Sequence, residues 1–253
     1  MLSGWWRFPL ILALLSATSC YAAHPLITED TGTQGQGNGQ LELTAEFGHD
    51  EAADAKENAA DYAAVLTWGL RDNLDLLLTI PYARADTTGN GAETTVTGLG
   101  DVGIDAKWRF FEAGPLSMAL KAGGTAPTGK DRQGLGAGKA GFSVSFVTSY
   151  ESGPWAGHLH LEHRRNRNVL GEREVIDHAS VAVTRMVTDR LKLVADVGRF
   201  TSTDRLVNAD SRFLTLGAIY GIREDFDLDI GWKRGLTDPE TDSTWLLGLT
   251  MRF

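Results

Sequence analysis

The chain has 253 residues, 42% of them hydrophobic, with 29 Gly, 7 Pro and a formal net charge of −9. That length suits one mid-sized domain or barrel, and the composition excludes fibrous and low-complexity classes. The acidic balance argues against nucleic acid as a partner. The mean hydropathy of −0.17 excludes a polytopic helical membrane protein but not a barrel, whose strands alternate apolar and polar residues.

Residues 1–23 read as a secretory signal peptide. Arg7 supplies the positive n-region, residues 8–17 are an apolar run of about ten residues, and small residues follow up to Ala23. Cleavage after Ala22 puts Cys20 at the small −3 position, whereas cleavage after Ala23 puts Tyr21 there, a poorer fit. Cys20 is the sole cysteine, so a chain cut after it carries no thiol. The rival reading makes Cys20 the acylated residue of a lipoprotein, but Ala17-Thr18-Ser19 is a poor lipobox. The run also falls short of the ~20 residues that a membrane helix needs. Residues 24–38 follow as an N-terminal segment, and 39–253 form the body.

From Gln40 onward the apolar residues recur with period two, the strand signature. Leu74, Leu76, Leu78, Ile80 and Tyr82 oppose Asp75 and Thr79; Val102, Ile104, Ala106, Trp108 and Phe110 oppose Asp101, Asp105, Lys107 and Arg109. Phe142, Val144, Phe146 and Tyr150 oppose serines, and Leu191, Leu193, Ala195 and Val197 oppose Lys192 and Asp196. The clearest run alternates Phe226, Leu228, Ile230 and Trp232 with Asp225, Asp227, Asp229 and Lys233. Short turns near 69–73, 112–115, 152–154, 188–190 and 223–225 separate longer loops near 50–60, 84–98, 125–139, 166–173, 200–210 and 235–242. Five short turns and six long loops predict twelve strands. The expected fold is all-β: a transmembrane antiparallel up-and-down β-barrel, its short turns periplasmic and its longer loops extracellular.

A soluble β-sandwich alternates too, but its strands usually run ~5–6 residues, whereas these run about nine to eleven, the length of a tilted span. Phe47, Trp68, Tyr82, Trp108, Phe110, Tyr150, Trp155, Tyr220, Trp232, Trp245 and Phe253 lie near strand ends, as an interfacial girdle requires. Trp245, Leu247, Leu249, Met251 and Phe253 alternate and end on an aromatic, like the closing-strand signal read by outer-membrane assembly machinery. Glu42, Glu46, Asp75, Asp101, Asp105, Lys107, Lys121, Glu162, Lys192, Asp196, Asp227, Asp229 and Lys233 fall on the inward face. They form either a network that fills the lumen or the lining of a narrow wet path.

Several motifs suggest chemistry and lose it in context. Gly98-Leu99-Gly100-Asp101-Val102-Gly103 matches G-x-G-x-x-G, but it runs into a strand where a dinucleotide site needs a helix. Gly134 to Lys139 hints at a phosphate loop, yet Gln133 replaces its first Gly and Ala140 its Ser/Thr. His158, His160 and Glu162 share a strand face at a spacing too wide for a metal without help from a neighbour, and read better as polar lumen lining. His178 and Ser180 have the two-residue spacing of outer-membrane phospholipases, but the alternation turns them inward, away from lipid. Arg164, Arg165 and Arg167 form a basic cluster near an outer loop, suited to lipopolysaccharide phosphates or simply to solvent. Neither a catalytic residue, a metal nor a cofactor is expected.

His24-Pro25-Leu26-Ile27-Thr28-Glu29-Asp30-Thr31-Gly32, Gly37-Asn38-Gly39-Gln40-Leu41, Arg71-Asp72-Asn73-Leu74, Gly98-Leu99-Gly100-Asp101 and Pro127-Thr128-Gly129 together carry a resemblance across the whole mature chain. The sequence resembles the family named for the meta-pathway of phenol degradation, a set of transporter-like outer-membrane barrels. That resemblance implies barrel architecture in the bacterial outer membrane and passage of small, aromatic or hydrophobic compounds. It supplies no functional residues. By analogy with hydrophobic-compound channels, residues 24–38 either tuck into the periplasmic mouth as a plug or hang as a periplasmic tail. The expected function is a passive channel for small-molecule solutes, in contact with outer-membrane lipid and lipopolysaccharide. A plugged barrel with a structural or surface role is the alternative, and a lipid hydrolase the third reading.

Overall fold

A computed structural model describes residues 24–52, 55–89 and 92–253. The expected signal peptide, with its cleavage site and Cys20, lies outside the described residues. Thirteen strand segments make one sheet: β1 (Gly39–Ala52), β2 (Ala55–Arg71), β3 (Leu74–Gly89), β4 (Ala92–Leu99), β5 (Val102–Ala113), β6 (Leu116–Ala126), β7 (Gly141–Ser152), β8 (Trp155–Arg165), β9 (Val175–Met186), β10 (Leu191–Phe200), β11 (Ser211–Arg223), β12 (Phe226–Gly235) and β13 (Ser243–Arg252). Sequence neighbours pair antiparallel, except that β4 and β5 both pair with β3, and β1 pairs with both β2 and β13, so the sheet closes on itself.

The barrel has twelve strands because β4 and β5 are two parts of one. β3 pairs with β4 along 82–89 and with β5 along 74–79, and the register slips by one residue between them. Gly100 and Asp101 form the interruption, with the Gly100 N–H donating to the Pro81 carbonyl at 3.0 Å. This is a bulge of the kind that re-aims a side chain in a barrel wall.

Exposure runs opposite to that of a soluble protein. Leu76, Ile104, Leu193, Leu216, Ile230 and Leu247 are exposed, while Glu42, Asp75, Lys107, Lys121, Asp196 and Asp229 are buried. An apolar band that wraps the outside with charge enclosed within is what a lipid-facing barrel requires. Phe47, Tyr62 and Tyr82 form a row toward the long-loop end, with ring centroids 6.1 and 6.3 Å apart. Trp68 and Phe253 meet at the other end, 6.5 Å apart. The expected girdle aromatics are exposed, except that Trp232 is half-buried.

The five expected short turns all join adjacent strands, at β2–β3, β5–β6, β7–β8, β9–β10 and β11–β12. Two expected loops are corrected. Most of 50–60 and of 84–98 is strand, in the β1–β2 and β3–β4 hairpins. These strands run past the large apolar residues, and there Thr, Ala and charged residues replace the lipid-facing alternation. The loops at 127–140, 166–174, 201–210 and 236–242 remain as loops.

A charge placed in the middle of the apolar band tests this orientation. Ile230→Arg is expected to destabilise the folded barrel by roughly 2–4 kcal/mol in bilayer refolding titrations. An unchanged unfolding midpoint would contradict the assignment of this face to lipid.

Candidate functional site in the barrel lumen

Side chains that alternate inward from twelve strands meet a stretch of chain that belongs to none of them. Residues 24–34 run along the inner wall, and successive residues engage successive strands. His24 Nδ1 hydrogen-bonds the Asp229 carboxylate on β12. Pro25 lies against the backbone of β11 and β12: a Cβ at Gly217 would sit 2.5 Å from Pro25 Cγ, and one at Gly231 would sit 2.6 Å from Pro25 Cβ. Only glycine permits so close an approach. Leu26 is buried with Ala182 on β9 and Val194 on β10, and Ile219 on β11 packs against them.

The next residues satisfy the buried wall carboxylates with backbone donors. The Ile27 and Thr28 N–H groups each donate to Asp196 Oδ2 at 2.7 Å. The Thr28 hydroxyl donates to Asp196 Oδ1 at 2.6 Å and lies 2.7 Å from the Ser180 hydroxyl. At the far side of the lumen the Thr31 N–H donates to Ser149 Oγ at 3.1 Å, and the Gln34 N–H donates to Asp75 at 3.0 Å.

Between these contacts sits the strongest charge arrangement in the lumen. Lys107 Nζ is 3.0 Å from Glu29 Oε1, and Lys121 Nζ is 2.9 Å from Glu29 Oε2. The side chains of Glu29, Lys107 and Lys121 are only 1%, 7% and 4% exposed. Burial alone would raise the Glu29 carboxyl, but the two ammonium groups outweigh it and hold the group well below the usual carboxylate range. Asp30 Oδ1 adds a second contact to Lys107 at 3.3 Å. The Glu29 N–H also donates to His160 Nδ1 at 3.4 Å.

The other charged residues expected to face inward are also on this side of the wall. Glu162 accepts from Ser145 and pairs with Arg164 at 2.6 Å, His158 bonds Ser149 at 2.8 Å, and Lys233 pairs with Glu240 at 2.8 Å. Glu42 and Glu46 are buried, and Asp105, Lys192 and Asp227 are half-buried, with Asp227 paired to Arg252. Arg164 therefore faces the lumen, and of the basic cluster only Arg165 and Arg167 stand exposed. His178 stacks on Phe200 with centroids 4.2 Å apart and meets His160 edge-on at 4.7 Å, while Ser180 is taken by Thr28. Asp101, at the bulge, accepts the Gly129 and Ala137 N–H groups, both at 2.8 Å, and so draws the 127–140 loop inward. Leu135 of that loop is 2% exposed, and the phosphate-loop look-alike at 134–139 is part of it.

The sequence places His24, Leu26, Thr28, Glu29 and Thr31 in a plug-or-tail segment but names no partner for any of them, because the partners lie far along the chain. It also missed Phe213, an inward aromatic fully buried beside Phe200 and His178. The one signal available is the stretch 24–32 itself, a motif that carries the family resemblance.

The model of the family described as "Putative MetA-pathway of phenol degradation" matches residues 28–253. The chain belongs to this family. No curated protein sequence matches the chain. Among solved structures, the family member's fold is similar to an outer membrane channel from Pseudomonas putida F1, with a TM-score of 0.73 at 17% identity, over 88% of this chain and 98% of that one. The KdgM porin aligns with a TM-score of 0.57 at 5% identity, over 85% of this chain and 99% of that one. The translocator domain of the autotransporter NalP from Neisseria meningitidis gives 0.52 at 14% identity, over 87% and 89%. At these identities the likeness shows the fold: that of outer-membrane channels and porins.

The close seat of Pro25 gives a direct test. Gly231→Leu is expected to push residues 24–34 off the wall while the barrel stays folded, so that a glutamate-specific protease cuts after Glu29. Wild-type protein should resist under the same conditions. Equal cleavage of both would contradict the placement of the segment.

Proposed function

We propose that this protein is a passive outer-membrane channel for small solutes, closed at the periplasmic half of its lumen by residues 24–38. The observation that carries this reading is the Glu29 carboxylate held between Lys107 and Lys121 across the interior. A segment tied at β12, β10, β6, β5 and β3 stands across any path through the barrel. The fold shared with channels and porins supports the transport class, and the family description supports small aromatic or hydrophobic compounds as cargo. Export through a cleaved leader ending near Ala22 or Ala23 fits the same location. Exposed Arg165 and Arg167 suit lipopolysaccharide phosphates at the outer rim. The β13 alternation from Trp245 to Phe253 suits recognition by the assembly machinery.

The density of ties on the segment also favours a second reading, a permanently filled barrel with a structural or surface role. Single-channel recording separates the two. Wild-type protein is expected to show rare, small openings, and deletion of 24–34 to raise conductance severalfold. Removing one partner of a buried ion pair costs roughly 3–5 kcal/mol, so Glu29→Gln should raise the open fraction, each opening reaching the conductance of the 24–34 deletion. No conductance in either variant would favour the structural reading.

A further inference from the structure

We infer that the Lys107–Lys121 pair is a carboxylate-binding site, and that a small organic acid entering from the outer end takes it over from Glu29. The two lysines are register partners on β5 and β6, and each contacts a different oxygen of the same carboxylate, at 3.0 and 2.9 Å. That is a two-point clamp for a –COO⁻ group, with charge-assisted bonds in a nearly dry setting. The carboxylate that fills it comes from residue 29 of the inner segment and not from the barrel wall. Exchanging it for another carboxylate therefore requires no strand to move.

The clamp is also within reach from the outer end. A recess of about 1230 Å³ including its mouth opens toward the long-loop end, and Lys121 is part of its lining. Val65 and Leu77 give the recess a buried apolar wall, and Thr79 stands beside them. Arg164 is already paired with Glu162. An apolar body on the β2–β3 side with its carboxylate on Lys121 matches this surface, whereas a neutral analogue forms no ion pair with the lysines. Glu29 competes from a tether, and short tethers act at about millimolar effective concentration. Free acid thus binds weakly in the wild type, and binding displaces Glu29. The last step, opening, rests on the closed-channel reading above; the binding step does not.

The test is isothermal titration of the refolded full chain in detergent with benzoate and with its neutral counterpart benzamide. Glu29→Gln removes the competing charge and is expected to bind benzoate about tenfold tighter or more, because charged hydrogen bonds count for that much. Lys121→Met in the Glu29→Gln background should lose this gain. Lys107→Met in the same background gives the same loss where the first double variant fails to show heat-modifiable, folded mobility. Benzamide should bind no variant. Equal benzoate affinity in wild type, Glu29→Gln and the double variants, or equal binding of benzamide, overturns the site. The conductance of the 24–34 deletion is read separately. A flat benzoate series with raised conductance removes the site and keeps the closure, and the converse removes the closure and keeps the site.

Discussion

Two lysines set directly opposite each other inside a barrel cannot be left as they are. Lys107 and Lys121 face one another across the β5–β6 ladder, both turned inward and both nearly dry. Like charges directly opposite on neighbouring strands destabilise a sheet, and buried charge persists only when paired and hydrogen-bonded. The carboxylate of Glu29 resolves both problems at once, one oxygen to each ammonium group. The same logic repeats around the lumen with the signs reversed. Asp196 is met by two backbone N–H groups and a hydroxyl, Asp75 by the Gln34 N–H, and Asp229 by His24. The wall and the inner segment therefore form one electrostatic unit, and the wall charges are legible only together with residues 24–34.

This coupling shapes how a path through the molecule can form. At the short-turn half the segment lies along the inner wall, and at the long-loop half the 127–140 loop folds inward on Asp101. Between them lies the outward-open recess with Lys121 in its lining. The wall is a continuous hydrogen-bonded cylinder, whereas the segment is held by side-chain and single backbone contacts. The segment can therefore leave the wall without breaking a strand ladder. On the closed-channel reading, a solute path depends on the segment yielding, not on the barrel.

The barrel was legible because lipid imposes a strict rule on every second residue. Alternating runs such as Phe226 to Lys233 state which face is buried in lipid, and the short turns between them set the strand count. Legibility stopped where the rule no longer applies. Above the apolar band, residues 84–89 and 92–98 pair as strands with no apolar face, so their Thr-rich sequence looked like loop; Thr favours strands, and that weaker signal was there. The β4–β5 break at Gly100 and Asp101 was read as a loop entry for the same reason. The candidate site was half legible. Alternation turned Lys107, Lys121, Asp196 and Asp229 inward, but nothing local shows that Glu29 reaches Lys121 or that His24 reaches Asp229, contacts that span 92 and 205 residues of chain. Such pairings depend on closure of the whole cylinder. Phe213 escaped because a large inward aromatic breaks the polar-inside expectation, yet it completes a stack with Phe200 and His178.

The central claim is that residues 24–34 rest on the inner wall and thereby close the barrel. A reversible lock tests it most directly. Thr28 and Ser180 touch through their hydroxyls at 2.7 Å, and the chain's sole cysteine is Cys20, within residues 1–23, so Thr28→Cys/Ser180→Cys in protein lacking those residues has a single pair to join. Recorded in one planar bilayer, the oxidised protein is predicted to remain closed, and reduction of the disulfide to restore the openings of the wild type. Failure of the pair to cross-link, or identical conductance before and after reduction, would contradict the account.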